Sequence, residues 1–200
     1  MHRVPTRYDY RVIEELVEPE SRVLDLGCGD GALLEYLRRD KHVRCMGVER
    51  SADNVIACAR RGVPVYHGDL LEGLSMLGDN FFDVAILSRT LQETFEPAAV
   101  MQEMLRVAAK GIVSVPNFGH WYIRSHLFFV GTMPKSSALP YEWYDTPNIR
   151  EVTIKDFREF CARLGITIER EMYLSQSNRP LWRPLANIRA ALAIFVVSKP

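Results

Sequence analysis

The stretch "RVLDLGCGDGALLEYL", Arg22 to Leu37, decides the fold. Its first residues, "RVLDL", are a Val- and Leu-rich run of the kind that forms a buried strand. Three glycines follow, Gly27, Gly29 and Gly31, after an acid at Asp25, and helical spacing begins at "GALLEYLRRD". A strand closed by a glycine loop that opens a helix brings bare backbone close to a ligand. The dinucleotide fingerprint G-x-G-x-x-G has this context but a different spacing, since "GCGDG" is G-x-G-x-G. The shorter turn suits a loop that wraps an amino-acid-bearing nucleoside rather than a pyrophosphate seated on a helix N-terminus. Asp25 would repel a diphosphate, and it suits an ammonium group, directly or through water.

Strand and helix patterns alternate outward from this stretch. "YDYRVIEELV" precedes it with Tyr10, Ile13, Leu16 and Val17 on one helical face, stopped by Pro19. "VRCMGVE" reads as a strand, and "SADNVIACARRG" as a helix with Ser51 as N-cap and Gly62 beyond its end. "VPVYHGDL" and "FFDVAILS" are strands. "EPAAVMQEMLRVA" is a helix with Pro97 in its first turn, and "KGIVSVP" a further strand. Strands that are apolar on both faces and separated by helices predict a parallel sheet covered on both sides, with right-handed crossovers. Beyond residue 116, "WYIRSHLFFVGTMP" has helical character and "SSALPYEWYDTPNI" is an aromatic, proline-containing loop. "TIKDFREFCARLG" is a helix capped by Thr153, and "ITIEREMYL" and "LAIFVVSK" are strands. The expected organisation is one domain over residues 1–200, with 117–150 a variable insertion over the site.

Bulk composition narrows the function. Lys plus Arg equals Asp plus Glu at 25 each in 200 residues, so no global field draws the chain to nucleic acid or to an acidic membrane. Cys28, Cys45, Cys58 and Cys161 lack metal-ligand spacing and read as reduced thiols; no metal is expected. "MHRVPTRYDYRVI" has no hydrophobic signal core, and the apolar run "AALAIFVVS" is too short to span a bilayer. A cytoplasmic protein is expected. Oligomeric state is not readable.

Two further acids fall at strand ends. Glu49 closes "GVE", about 20 residues past the loop, where an acid accepts from vicinal ribose hydroxyls. Asp69 closes "HGD", where it can accept from an exocyclic adenine amine while the Leu70 amide donates to a ring nitrogen. An adenosine with a cationic amino-acid tail satisfies all three acids, which names S-adenosylmethionine (SAM).

Through "VLDLGCGDG", "GVE", "GDL" and "FDVAILSRTL" the sequence resembles the class I SAM-dependent methyltransferases. The resemblance implies an α/β, Rossmann-like fold with a mostly parallel seven-stranded sheet, ending in an antiparallel hairpin. It implies that Asp25, Gly27 and Gly29 line the methionine part of SAM or S-adenosylhomocysteine. Glu49 would bind ribose, Asp69 and Leu70 adenine, and Asp83 with Leu87 to Leu91 would give the fourth strand and the site floor. Cys28, Gly31, Arg50 and Ser88 complete the expected cofactor-binding set. Over "RYDYRVIEELVEPESRVLDLGCGDGALLEYL", "LSRTLQE" and "SVPNFGHWYIRSHLFFVGTMPKSSALPYEWYDTPNIR" the chain looks like the methionine-biosynthesis MetW family. That likeness implies a role beside homoserine O-acyltransferase as its partner.

Candidate bases for methyl transfer are His120, His126, Glu142 and Asp145, His120 foremost. Trp121, Tyr122, Tyr141, Trp143 and Tyr144 would form either a substrate wall or a partner interface. His67 reads as structural. Two functions follow: a SAM-binding accessory subunit of a homoserine acyltransferase, or a methyltransferase acting on an unidentified small molecule.

Overall fold

In a computed structural model, residues 8–136 and 139–199 are described. The segment read as lacking a leader falls mostly at residues 1–7, outside them, as do two positions of the aromatic loop, Ser137 and Ala138. The chain packs as two compact units, residues 1–88 with 99–112, and residues 89–98 with 113–200.

The first unit carries α1 (Tyr8–Leu16), β1 (Arg22–Leu26), α2 (Ala32–Lys41), β2 (Arg44–Glu49), α3 (Ala52–Arg60), β3 (Val65–His67), α4 (Leu70–Ser75) and β4 (Phe82–Ser88). Most of α5 (Pro97–Val107) and the first half of β5 (Ala108–Pro116) also belong to it. The strand order there is β3-β2-β1-β4-β5. β1 pairs in parallel with β2 and β4, and β2 with β3. Parallel strands need crossovers, which the intervening helices supply. Val23, Leu24, Leu26, Leu34, Leu37, Val48, Leu74 and Ile86 have no exposed surface, as the unbroken apolar strand pattern requires. Register sets the level of the strand ends. Asp25 lies opposite Gly47 and Ile86, and Glu49 opposite His67. The carboxyl ends of four strands therefore meet beside the glycine loop.

The second unit holds α6 (Trp121–Phe129), α7 (Ile154–Arg163), β6 (Thr167–Leu174), β7 (Pro180–Leu181), α8 (Ala186–Arg189) and β8 (Leu192–Ser198), with a 3-10 turn at Leu91–Glu93. Its strand order is β5-β8-β6-β7. β6 is antiparallel to β8, the hairpin expected from the sequence. Phe157 and Phe195 stack at 4.3 Å between centroids, both buried. Thr153 and Asp156 form a reciprocal capping box on α7.

The described strands number eight, not seven. The eighth, β7, is two residues long and antiparallel to β6. Pro180 cannot donate to a ladder, which confines such a strand to an edge and hides it from a periodicity search.

Asn117 joins four parts of the second unit. Its Nδ2 donates to the Asn187 and Ala190 carbonyls at 3.1 and 2.7 Å, and its Oδ1 accepts from the Gly119 and Ile154 amides at 3.0 and 3.3 Å. The side chain is 1% exposed, so water cannot replace these bonds. Asn117→Ala is expected to lower unfolding free energy by about 3 kcal/mol or more, at about 1–3 kcal/mol per stranded buried group. Urea denaturation measures it; a loss below about 1 kcal/mol would contradict the account.

Candidate functional site

The glycine loop is held by its own amides. Gly27 N and Cys28 N both donate to the Val48 carbonyl, at 2.9 and 3.2 Å. Gly29 N donates to Glu49 Oε2 at 2.8 Å, and Gly31 N to the Cys28 carbonyl at 3.1 Å. All three glycines have positive φ, 73°, 56° and 77°, a region that side chains reach only with strain. A Cβ built on Gly29 would meet nothing within 4 Å, so the loop crest faces open space. A Cβ on Gly31 would come 2.9 Å from Cys58 Sγ, and one on Gly47 2.4 Å from Cys28 Sγ, so the loop rests directly on α3 and β2.

These bonds set the charge that the loop can complement. Phosphate cradles offer free N–H groups and a bare helix N-terminus. Here four loop amides are spent on protein acceptors. At the start of α2 the first helical amide is engaged as well, since Asp30 Oδ1 accepts from Ala32 N at 3.1 Å. Asp25 is 2% exposed at the end of β1. Glu49 Oε1 accepts from Ser51 N at 2.8 Å, so one carboxylate clamps the loop and the start of α3 together. A carboxylate has about four acceptor positions, so Glu49 keeps capacity for a ligand's hydroxyls. The assembly favours a cation and disfavours a diphosphate.

Asp69 is exposed and caps α4, its Oδ1 accepting from Leu71 N at 2.9 Å. Leu70 opens that helix. Arg50 is exposed beside them, and its carbonyl lies 3.1 Å from His67 Nε2, which fits the structural reading of His67. Ser88 ends β4, two residues beyond the Asp25–Ile86 pair. Cys28 is buried, 3.8 Å from Cys58 Sγ. Burial, reinforced by the charges of Asp25, Cys58 and Glu49, pushes the Cys28 thiol far up, so it is a neutral filler and no nucleophile. Asp83 does not join the group. It stands at the amino end of β4 and pairs with Arg22 at 2.8 Å.

The remaining candidates lie in the second unit. His120 is the N-cap of α6, its Nδ1 accepting from Tyr122 N at 3.2 Å. The ring is 4% exposed, and burial lowers its pKa against a smaller opposing hydrogen bond to the Arg189 backbone. A neutral imidazole whose acceptor nitrogen caps a helix is occupied in holding the chain. His126 Nε2 lies 3.1 Å from Thr132 Oγ1, and Glu142 is ion-paired with Lys135. The described residues contain no cluster of three or more potential metal ligands, and no helix long and apolar enough to cross a membrane.

Sequence reasoning missed Asp30, Arg61 and Cys58. Arg61 Nη2 meets Asp30 at 2.7 Å and Nη1 meets Glu35 at 2.5 Å, bracing the loop from below. Asp30, just ahead of an apolar helical run, carried a readable capping signal; Arg61, 31 residues away, carried none.

Comparison with known proteins bears on this arrangement. The family model described as methionine biosynthesis protein MetW matches residues 7–197. A bifunctional methionine biosynthesis protein MetXA/MetW of Rhodopirellula baltica is 38% identical over 175 residues, 82% of this chain and 28% of that protein. A ubiquinone biosynthesis O-methyltransferase of Hahella chejuensis is 34% identical over 119 residues, 56% of this chain and 48% of that protein. The chain thus spans less than half the length of either relative. Among solved structures, a SAM-dependent methyltransferase of Archaeoglobus fulgidus superposes with a TM-score of 0.69 at 13% identity, covering 95% and 94% of the two chains. A possible histamine N-methyltransferase of Thermotoga maritima gives 0.69 at 18%, covering 96% and 88%. At those identities the match establishes the methyltransferase fold alone.

Two outcomes are expected. Gly29→Ala carries only the left-handed strain, about 1–2 kcal/mol. Gly31→Ala adds the collision with Cys58 and should cost more, with Cys58→Ala restoring part of the loss in the double variant. Equal costs in urea denaturation would refute this. His120 has a folded pKa below its ordinary 6.5, so as pH falls through about 6.5 the unfolded chain takes up the proton first. Stability present above that pH is lost toward lower pH. His120→Asn, which keeps a capping side chain, should flatten the stability profile between pH 7 and 5.

Proposed function

The chain belongs to the MetW family of methionine biosynthesis proteins, and from that premise we propose that it binds SAM or S-adenosylhomocysteine and serves as an accessory or regulatory partner of homoserine O-acyltransferase. One observation carries the ligand reading: a glycine loop whose amides are spent on the protein, set among carboxylates at strand ends. In this reading Asp25, Gly27, Gly29 and Gly31 hold the methionine part, Asp25 facing the ammonium directly or through water. Glu49, already clamping the loop, accepts from the ribose hydroxyls. Asp69 and Leu70 address adenine, with Arg50 and Ser88 at the margins. When bound, SAM supplies a sulfonium methyl group and a positive charge that the acids complement. Ligand binding would tighten the Glu49 clamp and so report a product made from methionine to the enzyme upstream.

The partner reading is supported by the relative that carries MetXA and MetW in one protein. The whole chain, 1–200, then acts as one methyltransferase-like domain with 117–150 as an insertion, in a cytoplasm that keeps its thiols reduced. A second reading is a methyltransferase on a small molecule, favoured by the named O-methyltransferase among its relatives. Its candidate base, His120, already caps a helix.

Asp25→Ala should weaken SAM binding at least tenfold in calorimetry, in line with about 1.5–3 kcal/mol for a hydrogen bond to a charged group. Purified homoserine O-acyltransferase, assayed with and without this protein while SAM is varied, should accelerate with no methylated product. No binding of SAM overturns the ligand reading. No acceleration and no complex overturn the partner reading, and methylated product favours the enzyme.

A further inference from the structure

The second unit exposes apolar surface that its own fold does not need. Phe118 N donates to the Val152 carbonyl at 2.9 Å, which closes the two ends of residues 118–152 on each other, and Ile149 N and Arg150 N donate to the Gln92 carbonyl. On this excursion Phe128 and Phe129 are 83% and 80% exposed, and Trp143 and Tyr144 71% and 72%. Each pair sits edge to face, at 4.9 and 5.5 Å between centroids. An ion pair connects the limbs that carry them, Lys135 with Glu142, and His126 meets Thr132 within the first limb. Arg150 ties the returning limb to the Thr94 and Phe95 carbonyls at 3.2 and 2.6 Å. Among the described residues of the first unit the large apolar side chains that stand exposed are Ile56, Met76 and Phe81, singly placed as on most protein surfaces.

We propose that this aromatic excursion is the surface on which the acyltransferase docks. The proposal rests on the partnership given under Proposed function. Its area fits a folded protein: Trp121, Phe128, Phe129, Tyr141, Trp143 and Tyr144 are 51–83% exposed and together present about 600–1,000 Å², judged from about 150–250 Å² per aromatic residue. One side of a standard stable interface needs about 800 Å². Its charge disfavours an anionic surface as the occupant. Lys135, Arg124 and Arg150 are committed to Glu142 and to backbone carbonyls, so the excursion offers no basic cluster for an anionic lipid surface. The occupant follows from the relative in which a MetXA part and a MetW part share one polypeptide, of which this chain matches 28%.

The test uses the full chain with Phe128→Ser/Phe129→Ser, and separately Trp143→Ser/Tyr144→Ser. Purified homoserine O-acyltransferase is titrated against each by calorimetry, and each is run alone and mixed through size exclusion with light scattering. Expected are a wild-type complex, at least tenfold weaker binding by both variants, and a SAM affinity unchanged within twofold for the Phe128/Phe129 variant. Variants that bind the acyltransferase like wild type overturn the surface and leave the partnership standing. A wild type that binds SAM but forms no complex overturns the partnership and this occupant with it. A wild type that self-associates, with variants that are monomeric yet still bind the acyltransferase, assigns the face to a second copy and overturns the proposal. Co-sedimentation of wild type alone with neutral or anionic phospholipid vesicles, lost in the variants that still bind the acyltransferase, assigns it to a membrane and does the same.

Discussion

The Glu49 carboxylate takes one hydrogen bond from the glycine loop and another from the start of α3. That pair of bonds joins the loop, the end of β2 and the start of α3 through one side chain, beside the Gly27 and Cys28 amides on Val48 and the packing of Cys58. Once the Gly29 amide is spent on Glu49, and the Gly27 and Cys28 amides on Val48, the loop has little positive edge left to offer. The hydrogen bonds say more about the loop's charge preference than the glycine spacing does, because four of its amides are already paired within the protein. Asp30 at the start of α2 and buried Asp25 near the end of β1 push in the same direction.

Packing enforces the same geometry from the other side. Cys58 and Cys28 fill the space under the loop so closely that Gly31 and Gly47 admit no side chain. Burial keeps these thiols neutral, so their role is volume. The loop is therefore fixed from below by sulfur and from its flank by a carboxylate, while its crest at Gly29 is open.

In the second unit, polar side chains that resemble catalytic groups serve the backbone. Asn117 satisfies four main-chain groups and His120 caps a helix. The surface is where this unit is unusual. Aromatic rings that a self-contained fold would bury stand out into solvent in edge-to-face pairs.

Reading Arg22–Leu37 alone determined a strand, a glycine turn and a helix, because period and turn chemistry are local. The alternation of such units determined the α/β architecture, and the acids at "LDLG", "VER" and "GDL" were legible as strand-end groups because each strand stopped beside its acid. Tertiary structure alone decided what those groups do. Glu49 reaches Gly29 across 20 residues, Arg61 reaches Asp30 across 31, and Cys58 lies under Gly31. No local pattern encodes a partner that distant. The two-residue strand at Pro180–Leu181 was hidden for a related reason: it exists only because β6 is there to pair with it. His120 shows the limit most plainly. Its neighbours in sequence suggested a base, whereas burial and the free amide of Tyr122 made it a cap. A side chain's chemistry depends on which hydrogen bonds remain open to it, and only the folded chain settles that.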